Sequence, residues 1–95
     1  MPLPKRKPTL LYPLKGSVTI SGAALGFSVV THEVNVLGAL PGQVVTVGLS
    51  PELFHPDLMY YGYISSADTL TIVVRDLSPN VYPYNGVLSY LITPI

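Results

Sequence analysis

The side chains that could carry out catalysis are few in this sequence, with two histidines and five acids among 95 residues. His32 lies in an alternating apolar stretch, where a hydrogen-bonded interior or interface histidine is more common than a ligand. His55, in the loop sequence FHPD, could form a His–Asp–Ser set with Asp57 and Ser50. No G-x-S-x-G turn surrounds any serine, so this set lacks the exposed nucleophile of that class of hydrolases.

The spacing that a metal site requires is also missing. Zinc needs three or four ligands in a defined array, and this chain has two scattered histidines and no cysteine. Calcium sites cluster carboxylates in patterns such as D-x-D-x-D, and no such run occurs here. We therefore predict that the protein is not an enzyme and needs no metal ion or cofactor.

The balance of residue types indicates a binding role instead. Hydrophobic residues make up 48% and charged residues 11% of the chain, and this charged fraction is less than half of the roughly 25% of typical soluble domains. A chain this short builds a thin core, and without cysteines it has no disulfides to supplement that core. We expect exposed apolar surface that is covered by a partner or by other copies of the chain.

Charge is unevenly distributed along the chain. Three of its five cations lie within the first seven residues, whereas two cations oppose five acids from position 8 onward, a net charge of −3. The proline-rich residues 1–15 are predicted to form an extended basic arm, either solvated or docked on an acidic partner. One basic triplet is a poor match to a nucleic-acid surface, and no apolar run is long enough to span a membrane. The contact residues of the arm would be Lys5, Arg6, Lys7, Leu10, Leu11 and Tyr12.

From Gly16 onward the apolar residues recur with a period close to two, which indicates β-strands. Glycine and proline turns separate these strands, and no helical periodicity of useful length occurs. The prediction is an all-β fold over residues 16–95, a small single-domain β-sandwich or jelly-roll-like barrel of six to seven antiparallel strands. The predicted strands are 16–21, 27–36, 43–49, 59–65, 69–76 and 87–93.

A few residues are predicted to shape the turns and the close approaches between strands. Gly62 would let a neighbouring chain approach closely, and the carboxylate of Asp68 would accept hydrogen bonds from backbone amides. The segment 79–86 is predicted to be a long turn before the last strand. The full set of these structural residues is Gly42, Gly62, Asp68, Pro79 and Gly86.

Tyrosines are the candidate contact residues. Tyr61 and Tyr63 share one face of a predicted strand, while Tyr82 and Tyr84 lie near the last strand. Tyrosine is enriched at protein interfaces, because it buries a large area at low entropic cost. Two other roles remain open for these side chains, capping of the core edge and a platform for sugar rings.

The stretch GYISSADTLTIVVRDLS resembles a segment of small structural proteins of tailed bacteriophages, the capsid cement or decoration proteins. Their pattern is roughly Gly-Tyr-Val-Ser-Ala-Ala-Asp-Thr-Val-Thr-Val-Arg. Upstream, GALPGQVVTVGLSPEL is similar to their Gly-Ala-x-x-Gly-Asp-x-Val-x-Val-x-x-Pro segment, with Gln43 where Asp is common. The resemblance covers about residues 36–94. The residues that match the first pattern are Gly62, Tyr63, Ser65, Ala67, Asp68, Thr69 and Thr71.

The resemblance implies a virion protein without enzymatic activity. It predicts a cement protein on the outer capsid surface that binds across subunits of the major capsid protein, assembles as a homotrimer and stabilises the shell. Two other functions remain open, an adaptor in the tail, neck or fibre of the virion and a carbohydrate-binding module for host attachment.

Overall fold

A computed structural model describes residues 13–94 of the chain, and these residues form an all-β protein without helices. The all-β class and the lower of the two predicted strand numbers are confirmed. Most of the predicted arm lies outside the described residues, but Leu14 and Lys15 already belong to the first strand. The strands are β1 (Leu14–Ala24), β2 (Val29–Asn35), β3 (Val44–Leu49), β4 (Leu58–Ser66), β5 (Thr69–Asp76) and β6 (Tyr82–Thr93).

The strands form two antiparallel sheets of three strands each, in the order β1-β6-β3 and β2-β5-β4. We call these sheet A and sheet B. Alternate side chains of each strand point inward, as the period of two predicts, and the two sheets share one hydrophobic core. The fully buried core residues with the largest side chains are Leu53, Leu70, Ile72, Val74, Leu88 and Ile92.

The last strand begins earlier than predicted. The segment 79–86 was expected to be a turn, but β6 starts at Tyr82, and Pro83 pairs with Ala23 of β1. The pairing of β3 with β6 ends at Leu88, so the part of β6 before Leu88 has a neighbouring strand, β1, on one side only. Proline is tolerated in such one-sided segments, because its missing N–H is not needed there. The prediction of Gly86 as a turn residue is therefore wrong.

The first strand is longer than predicted at both ends. It was expected to end at Ser21, before a glycine, yet it continues through Gly22 to Ala24. The reason lies in the neighbouring strand, since Gly22 pairs with Tyr84 and a Cβ on the glycine would lie 2.7 Å from the tyrosine hydroxyl. The aromatic ring fills the space that a side chain would have occupied, which keeps glycine within the strand.

The turns at one end of the molecule are joined through Asp68. Its backbone lies at φ 65°, and Gly42 in the β2–β3 connection lies at φ 93°. The carboxylate of Asp68 accepts a hydrogen bond of 2.8 Å from the backbone N–H of Gly38, and its carbonyl accepts one of 2.8 Å from Val36. The β4–β5 hairpin is thereby fastened to the β2–β3 connection.

Candidate interaction surfaces

His32, the histidine nearest to the core, is part of a structural contact between the sheets. Its Nε2 lies 2.5 Å from the hydroxyl of Tyr84, and the two rings meet edge to face with centroids 5.6 Å apart. Burial lowers the pKa of His32 below its usual 6.5. A partly buried ring that contacts a tyrosine of the facing sheet through both its Nε2 and its edge has the geometry of a core histidine.

Tyr84 continues this contact toward Tyr60 on the opposite sheet. Their rings pack edge to face with centroids 6.3 Å apart, and the Tyr60 hydroxyl donates a hydrogen bond of 2.7 Å to the carbonyl of Leu53. Burial raises the pKa of both tyrosines, and in Tyr60 the nearby Tyr84 adds to this effect. Tyr84 was predicted to lie at an interface. It is only 4% exposed, so its side chain lies inside the monomer.

His55 belongs to a group of side chains that fastens two loops together. Its ring packs against Tyr82 with centroids 3.9 Å apart, and the Tyr82 hydroxyl donates a hydrogen bond of 2.9 Å to Asp57. The Nδ1 of His55 accepts a hydrogen bond of 3.1 Å from the backbone N–H of Asp57. His55 and Asp57 are therefore engaged in holding the β3–β4 loop on the start of β6. Among the described residues, no three histidine, cysteine or acidic side chains come together as metal ligands.

The outer face of sheet B carries a partly exposed aromatic surface. Tyr63 is 50% exposed, while Val73, at the centre of this face, is only 4% exposed. The flanking strands cover Val73 because Tyr61 and Thr31 pair with it from either side. We call the following set the tyrosine face: Val29, Thr31, Glu33, Met59, Tyr61, Tyr63, Thr71, Val73 and Arg75.

A second surface, more apolar, lies at one end of the two sheets. Three connections meet there, because the Phe27 N–H donates to the Ser78 carbonyl and the Leu77 N–H donates to the Asp57 carbonyl, both at 2.8 Å. The five apolar side chains that these loops expose are together called the loop end, and each is more than half exposed: Leu25, Phe27, Phe54, Leu77 and Val81.

Phe27 is held outward at a conformational cost. Its φ is 54°, in the left-handed region that costs a side-chain-bearing residue about 1–2 kcal/mol. The residue is 71% exposed, so its side chain gains little from packing, and the backbone is held there by hydrogen bonds from Ser28 to Leu25 and from Phe27 to Ser78. A backbone kept in a costly conformation around an exposed aromatic ring is a feature that binding sites show.

The loop end carries negative charge but no lysine or arginine. Glu52 and Asp57 lie in the β3–β4 loop, and the three connections contain no basic residue apart from His55. Hydrogen bonds from its own backbone amide and from the Ser50 hydroxyl lower the pKa of the exposed Glu52 carboxylate. The surface therefore combines large apolar side chains with an acidic border.

The predicted contact residues fall into three groups. Tyr61 and Tyr63 lie on the outer face of sheet B, Tyr82 and Tyr84 fasten loop and core, and the arm residues Lys5, Arg6, Lys7, Leu10, Leu11 and Tyr12 lie outside the described residues. Sequence reasoning missed the loop end altogether. A signal was present, since Leu25, Phe27 and Phe54 are large apolar residues at or beside glycine- and proline-rich connections, where polar residues are usual.

Comparison with known proteins identifies no relative: no family model, no curated protein and no solved structure matches this chain. The described residues contain no long apolar helix of the kind that crosses a bilayer.

Proposed function

We propose that the protein is a structural protein of a virus particle, a cement protein that binds across subunits of the major capsid protein on the outer shell. The observation that carries this proposal is the loop end, where five large apolar side chains are exposed and one of them, Phe27, is held in a costly backbone conformation. The resemblance of residues 62–71 to phage decoration proteins supports the virion location. The two facing sheets favour the β-sandwich form of the predicted fold.

The proposed mechanism is stabilisation by mass action. A protein that binds only the assembled lattice stabilises that lattice, and many copies around a shell let a modest affinity per site suffice. An apolar loop end with an acidic border suits a groove between subunits, because interfaces have apolar centres and polar rims. The backbone hydrogen bonds that join the three loops to one another limit the entropy lost on docking.

The number of copies in purified particles tests this function. Quantitative mass spectrometry against the major capsid protein should find near one copy per capsid subunit. An adaptor of the tail or neck would instead be present in about six or twelve copies per particle, as set by the symmetry of its single position. A count in that range would contradict the cement proposal.

Substitution at the loop end tests the proposed contact. Phe27→Gly removes the ring but suits the left-handed backbone, so the variant should keep or gain stability, by up to about 1 kcal/mol. Its binding to shells that lack the protein should fall by about tenfold or more, as for a central aromatic contact. The matched control is Leu37→Ala, which removes an equally exposed apolar side chain from the opposite end of the molecule and should bind normally. Equal binding by Phe27→Gly and the wild type would place the shell contact elsewhere.

A further inference from the structure

The tyrosine face is composed of three rows of side chains that follow from the strand register. Each row takes one residue from β2, one from β5 and one from β4. Tyr61 and Val73 lie in the middle row, which is uncharged. The rows are Val29, Arg75 and Met59; then Thr31, Val73 and Tyr61; then Glu33, Thr71 and Tyr63.

The only two charged residues of this face lie in its outer rows and have opposite signs. Arg75 and Glu33 are separated by two rows, about 14 Å along the strands, which is too far for a direct ion pair. The one other cation of residues 13–94 is Lys15, on the outer face of sheet A. Among the described residues, sheet B therefore offers Glu33 no cation within the distance of an ion pair.

We infer that the tyrosine face binds the same face of a second copy of this chain. The two copies are related by a two-fold axis that lies in the plane of the interface, perpendicular to the strands. An axis that crosses the strands at the middle row lays the first row of one copy over the third row of the other. Arg75 then lies beside Glu33 of the second copy, and this pairing occurs twice. Tyr61 meets Tyr61 at the axis, and Met59 meets Tyr63. The arrangement of charge makes this surface complementary to itself.

The size of the face sets the strength of the association. Three strands about 4.8 Å apart and three rows about 6.8 Å apart cover roughly 300 Å² in projection, whereas standard interfaces bury about 800 Å² on each side. We therefore expect a weak dimer, with a dissociation constant in the micromolar range. The inference specifies the self-association expected from the composition as a two-fold dimer, in place of the homotrimer that the resemblance implies. It is tested on the isolated protein, so loss of shell binding would leave it standing.

Charge reversal of the two residues tests the inference by sedimentation equilibrium at concentrations from micromolar to millimolar. Arg75→Glu places like charges in contact across the axis, as does Glu33→Arg, and each should weaken the dimer by about tenfold or more. The double variant Glu33→Arg/Arg75→Glu restores opposite charges and should dimerise like the wild type. An equimolar mixture of the two single variants should form a heterodimer, because each supplies the sign that the other lacks.

Lys15 provides the control for these charge reversals. Lys15→Glu reverses an exposed charge on the outer face of sheet A and should leave the dimer unchanged. All variants are compared only if their circular dichroism and unfolding temperatures match the wild type. A monomeric wild type at millimolar concentration would overturn the inference. A dimer or trimer that persists in both single variants, or a mixture that fails to associate, would also overturn it.

Discussion

At the scale of single residues, the side of the strand decides what a tyrosine does. Tyr60 points inward, where its hydroxyl finds the Leu53 carbonyl, and its neighbour Tyr61 points outward on sheet B. The polar end of a buried tyrosine needs a partner, which explains why Tyr84 meets His32. Exposed tyrosines have no such requirement and remain available for a partner.

The contact between His32 and Tyr84 predicts a dependence of stability on pH. Burial lowers the pKa of His32, so the folded state favours the neutral ring more than the unfolded chain does. This stability is fully present above pH 6.5, the usual pKa of the unfolded chain, and is lost as the pH falls through the lower pKa of the folded state. The unfolding temperature should therefore drop by a few degrees between pH 7 and pH 5.

Replacement of each histidine identifies the group responsible. His32→Gln has no titrating ring, so its unfolding temperature should change less across the same pH interval. The comparison variant is His55→Gln, which leaves the contact between His32 and Tyr84 in place, so the part of the drop that this contact causes should remain. If His32→Gln lost as many degrees as the wild type, the pH dependence would have another source.

At the scale of elements, glycine and tyrosine form pairs across the β1–β6 ladder. Gly22 pairs with Tyr84, and Gly16 pairs with Tyr90, whose ring would collide with a Cβ on the glycine. The tyrosines supply the packing that the glycines omit, and this lets β1 continue over 11 residues despite its glycines.

Alanine substitution should destabilise the protein at a glycine that faces a tyrosine but not at an ordinary strand glycine. In Gly22→Ala the new Cβ would lie 2.7 Å from the Tyr84 hydroxyl, which is tied to His32 and cannot withdraw freely. The free energy of unfolding should fall by about 1–3 kcal/mol, as for other overpacked sites. Denaturation in urea measures this change.

Gly48 in β3 provides the matched control for this substitution. Its nearest contact for a new Cβ is Ser89, at an ordinary 3.8 Å. Gly48→Ala should therefore be neutral or stabilise the protein by up to about 1 kcal/mol, because glycine is costly within strands. An equal loss of stability in the two variants would show that the tyrosine over Gly22 is not the cause.

At the scale of the whole molecule, the proposed function divides the chain between a folded domain and a basic segment that precedes it. Removal of residues 1–12 leaves β1 intact, since this strand begins at Leu14. We expect the unfolding temperature to stay within about 2 °C of the wild type, while binding to shells weakens and loses much of its salt dependence. Binding to shells at several salt concentrations measures the effect.

A longer deletion is the informative comparison. Removal of residues 1–15 also deletes Leu14, which packs against the core and pairs with Ile92. This variant should lose about 1–2 kcal/mol of stability, less than the value for full burial of a leucine. If the 1–12 deletion occupied shells as fully as the wild type, the segment would have no part in the contact.

Much of the fold was available from the sequence, because alternation of apolar residues has a direct structural meaning. The run from Thr69 to Asp76 was predicted with the bounds that the structure has, and its inward residues Leu70, Ile72 and Val74 are fully buried. The predicted strand ends were wrong where a residue of the neighbouring strand makes up for a glycine or proline. The Gly22 and Pro83 positions looked like ends of strands, and only their cross-strand neighbours explain why the strands continue.

The sequence by itself determined the all-β class, the faces of the strands and the shortage of charge, since these depend on local periodicity and composition. Tertiary structure alone decided which apolar residues are exposed. Leu53 and Phe54 are adjacent in one loop, yet the first is buried and the second exposed. The pairing of β5 with both β2 and β4 likewise set Arg75 and Glu33 two rows apart on one face. Distances of this kind depend on which strands meet, and no local pattern encodes that choice.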